Sequence, residues 1–197
     1  MLSAPSLQIG CLVMAAGNAN RFGKNKLAEE LDGVTLIERA LRAVPAEEFA
    51  SVCVVSQYAQ IERLAERFHF LPIHNPHPAR GLSHTIRLGT EAMASCDGIL
   101  YMVADQPLLR QSSVRRIVET WRRAPEKIVG AACAGRCGNP NLFPKRYFPE
   151  LLALTGEQGG SFVRKRHADA YLPVELAAEE LIDCDTEQAL NALSARE

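Results

Sequence analysis

The apolar positions of this chain fall into two rhythms. Short continuous apolar runs occur at Ile9–Ala15, Ser51–Ser56, 70–74, 99–104 and Ile128–Cys133. Such runs, four to eight residues long and bounded by turn residues, read as strands, those at 9–15, 51–56 and 99–104 as buried ones. Between them the apolar residues recur at helical spacing, as at Ile61, Leu64, Ala65 and Phe68. Thr35 with Glu38 three residues later reads as a capping box opening a helix to about Val44. Further helices are expected over 60–68, from Gly81-Leu82-Ser83 to about residue 94, and from a Ser112 or Ser113 cap through Trp121. Leu27 to Leu31 reads as extended, with Asp32-Gly33 turning the chain. Strands alternating with helices imply a parallel sheet covered on both faces, an α/β architecture.

From Ala134 the rhythm changes. Glycines and prolines precede a short apolar segment, Asn141-Leu142-Phe143. Helices are expected over 147–154 and from Gly160 to about His167, an extended segment over 170–176, and a last helix opened by Thr186. No repeat, low-complexity tract or linker interrupts the 197 residues, so the chain reads as one domain over 1–197 with 134–182 inserted in it, facing the site. A net charge of -1 provides no global field for nucleic acid or an anionic membrane. No apolar run approaches the ~20 residues needed to cross a bilayer. Met1 to Gly10 lacks the basic and apolar regions of a signal peptide. The six cysteines include no Cys-x-x-Cys pair, so they read as reduced thiols of a cytoplasmic protein.

The most informative chemistry lies where the first strand ends. Ala15-Ala16-Gly17 carries almost no side chain, and Arg21, Lys24 and Lys26 follow. Small residues let a ligand approach backbone N–H groups, and cations then neutralise it, which is the chemistry of holding a polyphosphate. It is neither a P-loop, since Asn25 follows Lys24 and five residues separate Gly17 from Gly23, nor the three-glycine dinucleotide fingerprint. Asp105 follows a buried strand and precedes Gln106-Pro107, which places it beyond the carboxyl end of the sheet, where ligands of open α/β folds bind. A carboxylate opposite a phosphate loop suits Mg²⁺ bridging protein and polyphosphate. Ser83 and Thr85, with the first N–H groups of their helix, suit a base carbonyl or phosphate oxygen, although Ser83 also reads as a plain N-cap. His74 and His77 read as solvated loop histidines, and Arg164-Lys165-Arg166 as a solvated face.

Met14-Ala15-Ala16-Gly17, Arg21-Phe22-Gly23 and Lys26-Leu27 resemble the signature loop of the MobA-like nucleotidyltransferases, in particular the molybdenum-cofactor cytidylyltransferases (MocA-like). Asp105-Gln106-Pro107 resembles the magnesium-holding motif of that family, and Gly81-Leu82-Ser83-His84-Thr85 its base-side turn. Gly138-Asn139-Pro140-Asn141-Leu142-Phe143 resembles the acceptor-side loop, with Asn139 where the family has His. Gly156-Glu157-Gln158-Gly159-Gly160 resembles Gly-Asp-x-Gly-Ala, with Glu157 for Asp, and Asp183-Cys184-Asp185-Thr186 resembles Asp-x-Asp-Thr.

The resemblance implies a three-layer α/β/α Rossmann-like nucleotidyltransferase fold. It implies Arg21, Lys26 and Asp105 as catalytic residues, and Ala15, Ala16, Gly17, Arg21, Lys26, Gly81, Ser83 and Thr85 as the nucleotide site. Gly138, Asn139 and Pro140 become the acceptor side, and Asp105 and Asp185 the metal ligands. The substrates would be CTP and a molybdopterin-type cofactor, with Mg²⁺ and transient contact with a client molybdoenzyme. A methyl at Ala16 is expected to narrow the space for a purine. Two other readings stay open: transfer to a sugar or polyol phosphate, and a non-catalytic carrier of the finished cofactor.

Overall fold

The computed structural model describes residues 7–17, 25–185 and 187–194. The expected first strand, β1 (Ile9–Ala15), forms with the bounds the pattern gives it. After the signature loop, Asn25 caps a single 3-10 turn, Lys26–Ala28, its Oδ1 accepting from the Leu27 amide at 3.1 Å. Leu27 is buried, so this turn is pinned to the core rather than extended. A small hairpin, β2 (Glu30–Leu31) and β3 (Val34–Thr35), turns at Asp32-Gly33, where both residues have positive φ. Thr35 caps α1 (Leu36–Arg42) as its sequence predicts, accepting from the Glu38 amide. β4 (Ser51–Ser56), α2 (Ala59–Arg67), β5 (Leu71–His74), α3 (Leu82–Ala92) and β6 (Gly98–Val103) continue the alternation.

The second half departs from it. α4 (Gln111–Arg123) and β7 (Ile128–Cys133) are followed by β8 (Arg136–Pro144), a nine-residue strand where only a short apolar segment is legible. α5 (Phe148–Leu152), α6 (Gly160–Arg166), β9 (Tyr171–Glu175) and α7 (Glu187–Ser194) complete the chain. The seven strands run β5-β4-β1-β6-β8-β7-β9. All neighbouring pairs are parallel except those of β8, which is antiparallel to both β6 and β7. The segment 134–182 therefore adds two strands to the central sheet, one of them in its interior. The α4 cap also differs from expectation. No side chain of α4 caps it; the Arg110 amide donates instead to the buried Glu180 carboxylate, seventy residues on in sequence.

Alternate residues of each strand enter different apolar layers, as the pleat requires. Cys11, Val13 and Ala15 join Leu36, Ile37, Ile61, Val114, Ile117, Trp121 and Leu190 on the face covered by α1, α2, α4 and α7. Leu12, Ala16, Cys53, Val55 and Ile86 join Phe143, Leu151 and Val163 on the face of α3, α5 and α6. Gly89 brings α3 close to β1: a Cβ there would lie 2.4 Å from a Leu12 methyl. That close approach sets the height of α3, and hence of its N-terminus, over the strand ends. No helix among the described residues is long and apolar enough to cross a membrane.

Candidate active site

Register brings the candidate residues to one edge of the sheet. Met14 pairs with Val103, so Ala16 and Asp105, each two residues further on, emerge side by side. Ala15 pairs with Ser56, and Gln57 then reaches back to donate to the Ala16 carbonyl at 3.0 Å and the Gly17 carbonyl at 3.4 Å. Ala15 and Ala16 are buried, and Ala16 belongs to the layer beneath α3. Its methyl thus supports the loop from below instead of lining the open space. Gly17 is the exposed member of the three, with nothing within 4 Å of the position a Cβ would take. Arg21 and Lys24 lie outside the described residues.

Lys26, Asp105 and Asp185 converge. The Lys26 ammonium donates to Asp105 Oδ2 at 2.6 Å and to Asp185 Oδ1 at 2.8 Å. Burial works against charge on Lys26, yet the Coulombic and hydrogen-bonding pull of Asp105 and Asp185 outweighs it and raises the pKa above its usual value of 10.5. Asp105 Oδ1 is buried with no hydrogen-bond partner among the described residues. A buried, unpartnered carboxylate oxygen is a costly feature unless something else satisfies it. The 3-10 turn anchored by Leu27 places Lys26, the end of β6 places Asp105, and a third segment places Asp185.

That third segment is held by contacts within the two acidic motifs that their sequence alone does not show. The Cys184 amide donates to the Asp105 carbonyl at 2.8 Å, and buried Gln106 donates to Asp183 Oδ1 at 3.0 Å. Gln106 is thus a clamp between two acidic segments 77 residues apart. Burial, and then the neighbouring Asp105 charge, raise the pKa of Asp183. The same two causes push the Cys184 thiol up to about 11, which leaves it protonated and a poor nucleophile at neutral pH. All six cysteines are unpaired. Thr186 lies outside the described residues.

The α3 turn differs from expectation. Gly81, not Ser83, is the N-cap, at φ +82° and ψ −173°, a conformation that strains any side chain. The first helix N–H groups are already taken: Ser83 donates to the Gly156 carbonyl at 3.0 Å and Leu82 to Glu157 Oε2 at 3.4 Å. Thr85 is buried, its hydroxyl accepting from the Asn75 side chain, while the Asn75 backbone amide donates to the Ser56 carbonyl at the end of β4 at 2.7 Å. Ser83 is buried as well.

The antiparallel strand resolves where the acceptor-side residues go. Tyr101 pairs with Asn141, so Gly138, Asn139 and Pro140 run on toward the edge where Asp105 emerges. The buried Asn141 amide donates to the Gly138 carbonyl at 2.7 Å and to Asn139 Oδ1 at 3.0 Å. Gly130 opposite makes room, since a Cβ there would fall 2.1 Å from Asn141 Oδ1. Arg164 donates to the Gly138 carbonyl at 3.3 Å while its guanidinium lies over the Tyr171 ring.

The model of the MobA-like NTP transferase domain matches residues 11–170, most of the chain. The chain belongs to this family. Among curated proteins it is 29% identical to the purine catabolism protein PucB of Bacillus subtilis (strain 168) over 157 residues, 74% of this chain and 75% of PucB. Among solved structures, a nucleotidyl transferase from Methanothermobacter thermautotroptrophicus superposes with a TM-score of 0.78 at 21% identity, covering 95% of this chain and 96% of that one. Rv0371c from Mycobacterium tuberculosis H37Rv, in complex with manganese, superposes at 0.71 with 20% identity, covering 96% and 100%. At these identities the structural matches speak for the fold: a mostly parallel sheet with helices on both sides, as MobA-like nucleotidyltransferase domains have.

Proposed function

We propose that this chain is a Mg²⁺-dependent cytidylyltransferase that joins CTP to a molybdopterin-type cofactor and releases pyrophosphate. The observation that carries the reading is the convergence of Lys26, Asp105 and Asp185 at the end of β1 and β6. Two carboxylates focused on one cation, one of them with a buried unpartnered oxygen, form a donor set that suits Mg²⁺. Among the described residues no three His, Cys, Asp or Glu side chains gather into a metal cage. Mg²⁺ is commonly held by one or two carboxylates with substrate phosphates and water completing the shell. A relative that takes up manganese is consistent with this.

In this reading a terminal phosphate oxygen of the acceptor attacks the α-phosphorus of CTP. A new P–O bond forms as the bond to the β-phosphate breaks, and the electron pair leaves on pyrophosphate. The acceptor oxygen is already ionised, so no protein base is needed. Lys26, with Arg21 five residues before it in sequence, neutralises charge that spreads over the phosphoryl oxygens. Asp105 and Asp185 would hold Mg²⁺, which supplies further neutralisation. Gly17 leaves the phosphates room at the backbone, and Gly138-Asn139-Pro140 faces the acceptor. The preference for CTP over GTP rests on Ala15-Ala16-Gly17, the cytidylyl form of the loop in the family it resembles. The test is pyrophosphate release with acceptor, Mg²⁺ and either CTP or GTP. Faster release with CTP is expected; equal rates, or none with either, contradict the proposal.

A further inference from the structure

The geometry points to Glu157 as a positioning residue that fixes the Gly81-Leu82-Ser83 turn, so that the loop at 156–160 sets the shape of the nucleotide side. The inference rests on the nucleotidyltransferase reading above. Four contacts carry it. The Glu157 carboxylate accepts from the Leu82 amide, and the Gly156 carbonyl from the Ser83 amide, so residues from one loop satisfy two of the first N–H groups of α3. A carboxylate at that end also complements the helix dipole. A Cβ on Gly81 would lie 2.4 Å from the Gly156 oxygen and 2.9 Å from Glu157 Oε1, so the two segments touch backbone to backbone. Leu82 nests over Gly159, where a Cβ would meet its methyl at 2.8 Å. The glycines at 81, 156 and 159 therefore serve one joint, not three separate turns.

The joint continues into α6. This helix starts at Gly160, one residue beyond the Leu82 contact, and its Arg164 holds the Gly138 carbonyl. Gly160 itself lies against Phe143 of β8, a Cβ there falling 3.0 Å from the ring. One short segment, 156–164, thus braces both the turn before α3 and the strand that presents Asn139. Glu157 is exposed and touches none of Lys26, Asp105 or Asp185, so it acts through the turn and not on the phosphates.

The experiment compares Glu157→Ala, Glu157→Gln and Gly81→Ala in the full chain, with two readouts. Hydrogen exchange at the Leu82 and Ser83 amides reads the joint without any activity. Steady-state kinetics then separate the KM for CTP from kcat. Glu157→Ala should speed exchange at Leu82 and raise the KM for CTP about tenfold, the scale of one lost hydrogen bond to a charged group, with a smaller change in kcat. Glu157→Gln keeps an accepting oxygen and should stay within about threefold of the parent, while Gly81→Ala, which forces the loops apart, should exceed Glu157→Ala. Unchanged exchange and KM in Glu157→Ala, or Glu157→Gln as impaired as Glu157→Ala, overturns the proposal. Faster exchange in Glu157→Ala, with a parent chain that turns over no nucleotide, refutes the function while leaving the joint intact, so the two failures are distinguishable.

Discussion

The two halves of the sheet solve the same problem differently. In β5-β4-β1-β6 every strand runs the same way, so the last residues of each strand meet at one edge. Ala16, Gln57 and Asp105 arrive there because the register carries them. In β8-β7-β9 the interior strand is reversed, so it delivers its first residues, Gly138 to Pro140, to that same edge. A parallel half positions by where strands end, and an antiparallel insertion positions by where a strand begins. Both halves add side-chain braces: Gln57 holds the loop after β1 in the parallel half, while the reversed half uses Asn141 across its own loop, Arg164 from α6, and Gln106 and Glu180 tying the segment after β9 to the end of β6 and the start of α4.

The largest expected effect comes from breaking the point where the halves meet. Asp105→Asn keeps the size of the side chain and removes the charge that pairs with Lys26 and that the proposed Mg²⁺ would need. Turnover should fall on the order of 10²-fold or more, with the far-ultraviolet circular dichroism unchanged. Near-normal rates at saturating Mg²⁺ would move the metal away from this carboxylate. A second effect isolates the parallel half. Gly89→Val drives a branched side chain into Leu12 and should cost about 1–3 kcal/mol of stability, read as a lower urea midpoint. An unshifted midpoint would mean that α3 does not need its close seat on β1.

Asn139→Ala isolates the reversed half. It should raise the KM for the acceptor by about tenfold or less while the KM for CTP holds, since Asn139 stands on β8 and not on the α3 turn. Equal rises in both would dissolve the division of labour between the halves. The smallest effect concerns pH. The raised pKa of Lys26 means that its ion pairs stabilise the fold in full at neutral pH. Their contribution is lost only as pH rises past 10.5 through the elevated value of the folded state. The difference in melting temperature between the parent chain and Lys26→Met should therefore be constant from about pH 7 to 9 and shrink above pH 10.5. A difference that already shrinks below pH 9 would mean the ammonium is not held as the geometry shows.

The parallel half was legible because each of its strands is a continuous apolar run with a helix-spaced segment behind it. There β1 and β4 form with the bounds that the pattern predicts, and in the other half β7, itself an apolar run, does the same. β8 was not legible for a physical reason. Arg136-Cys137-Gly138-Asn139-Pro140 carries little apolar signal because its neighbours, not its own side chains, hold it in the sheet. Only Leu142 and Phe143 betray the strand, and Gly130 makes sense only once Asn141 is seen filling the space it leaves. The same holds for capping. Thr35 caps its own helix and reads off locally, whereas the starts of α3 and α4 are capped by Glu157 and Glu180, distant in sequence and therefore invisible to it. At the site, Lys26 and Asp105 could be given roles from charge type and position, while Gln57 and Gln106 could not: a polar residue after a buried strand has many ordinary uses, and only the structure shows what each one grips.

The claim on which the account depends is that Lys26, Asp105 and Asp185 form one centre for a nucleotide and a divalent cation. Binding of Mn²⁺, followed by paramagnetic resonance in the presence of CTP, tests it with no acceptor and no turnover. The account predicts that CTP sharply increases Mn²⁺ binding to the parent chain, that Asp105→Asn abolishes the increase, and that Asp185→Asn, at the more exposed carboxylate, weakens it. Mn²⁺ binding in the Asp105→Asn chain equal to that of the parent, with or without CTP, would contradict it.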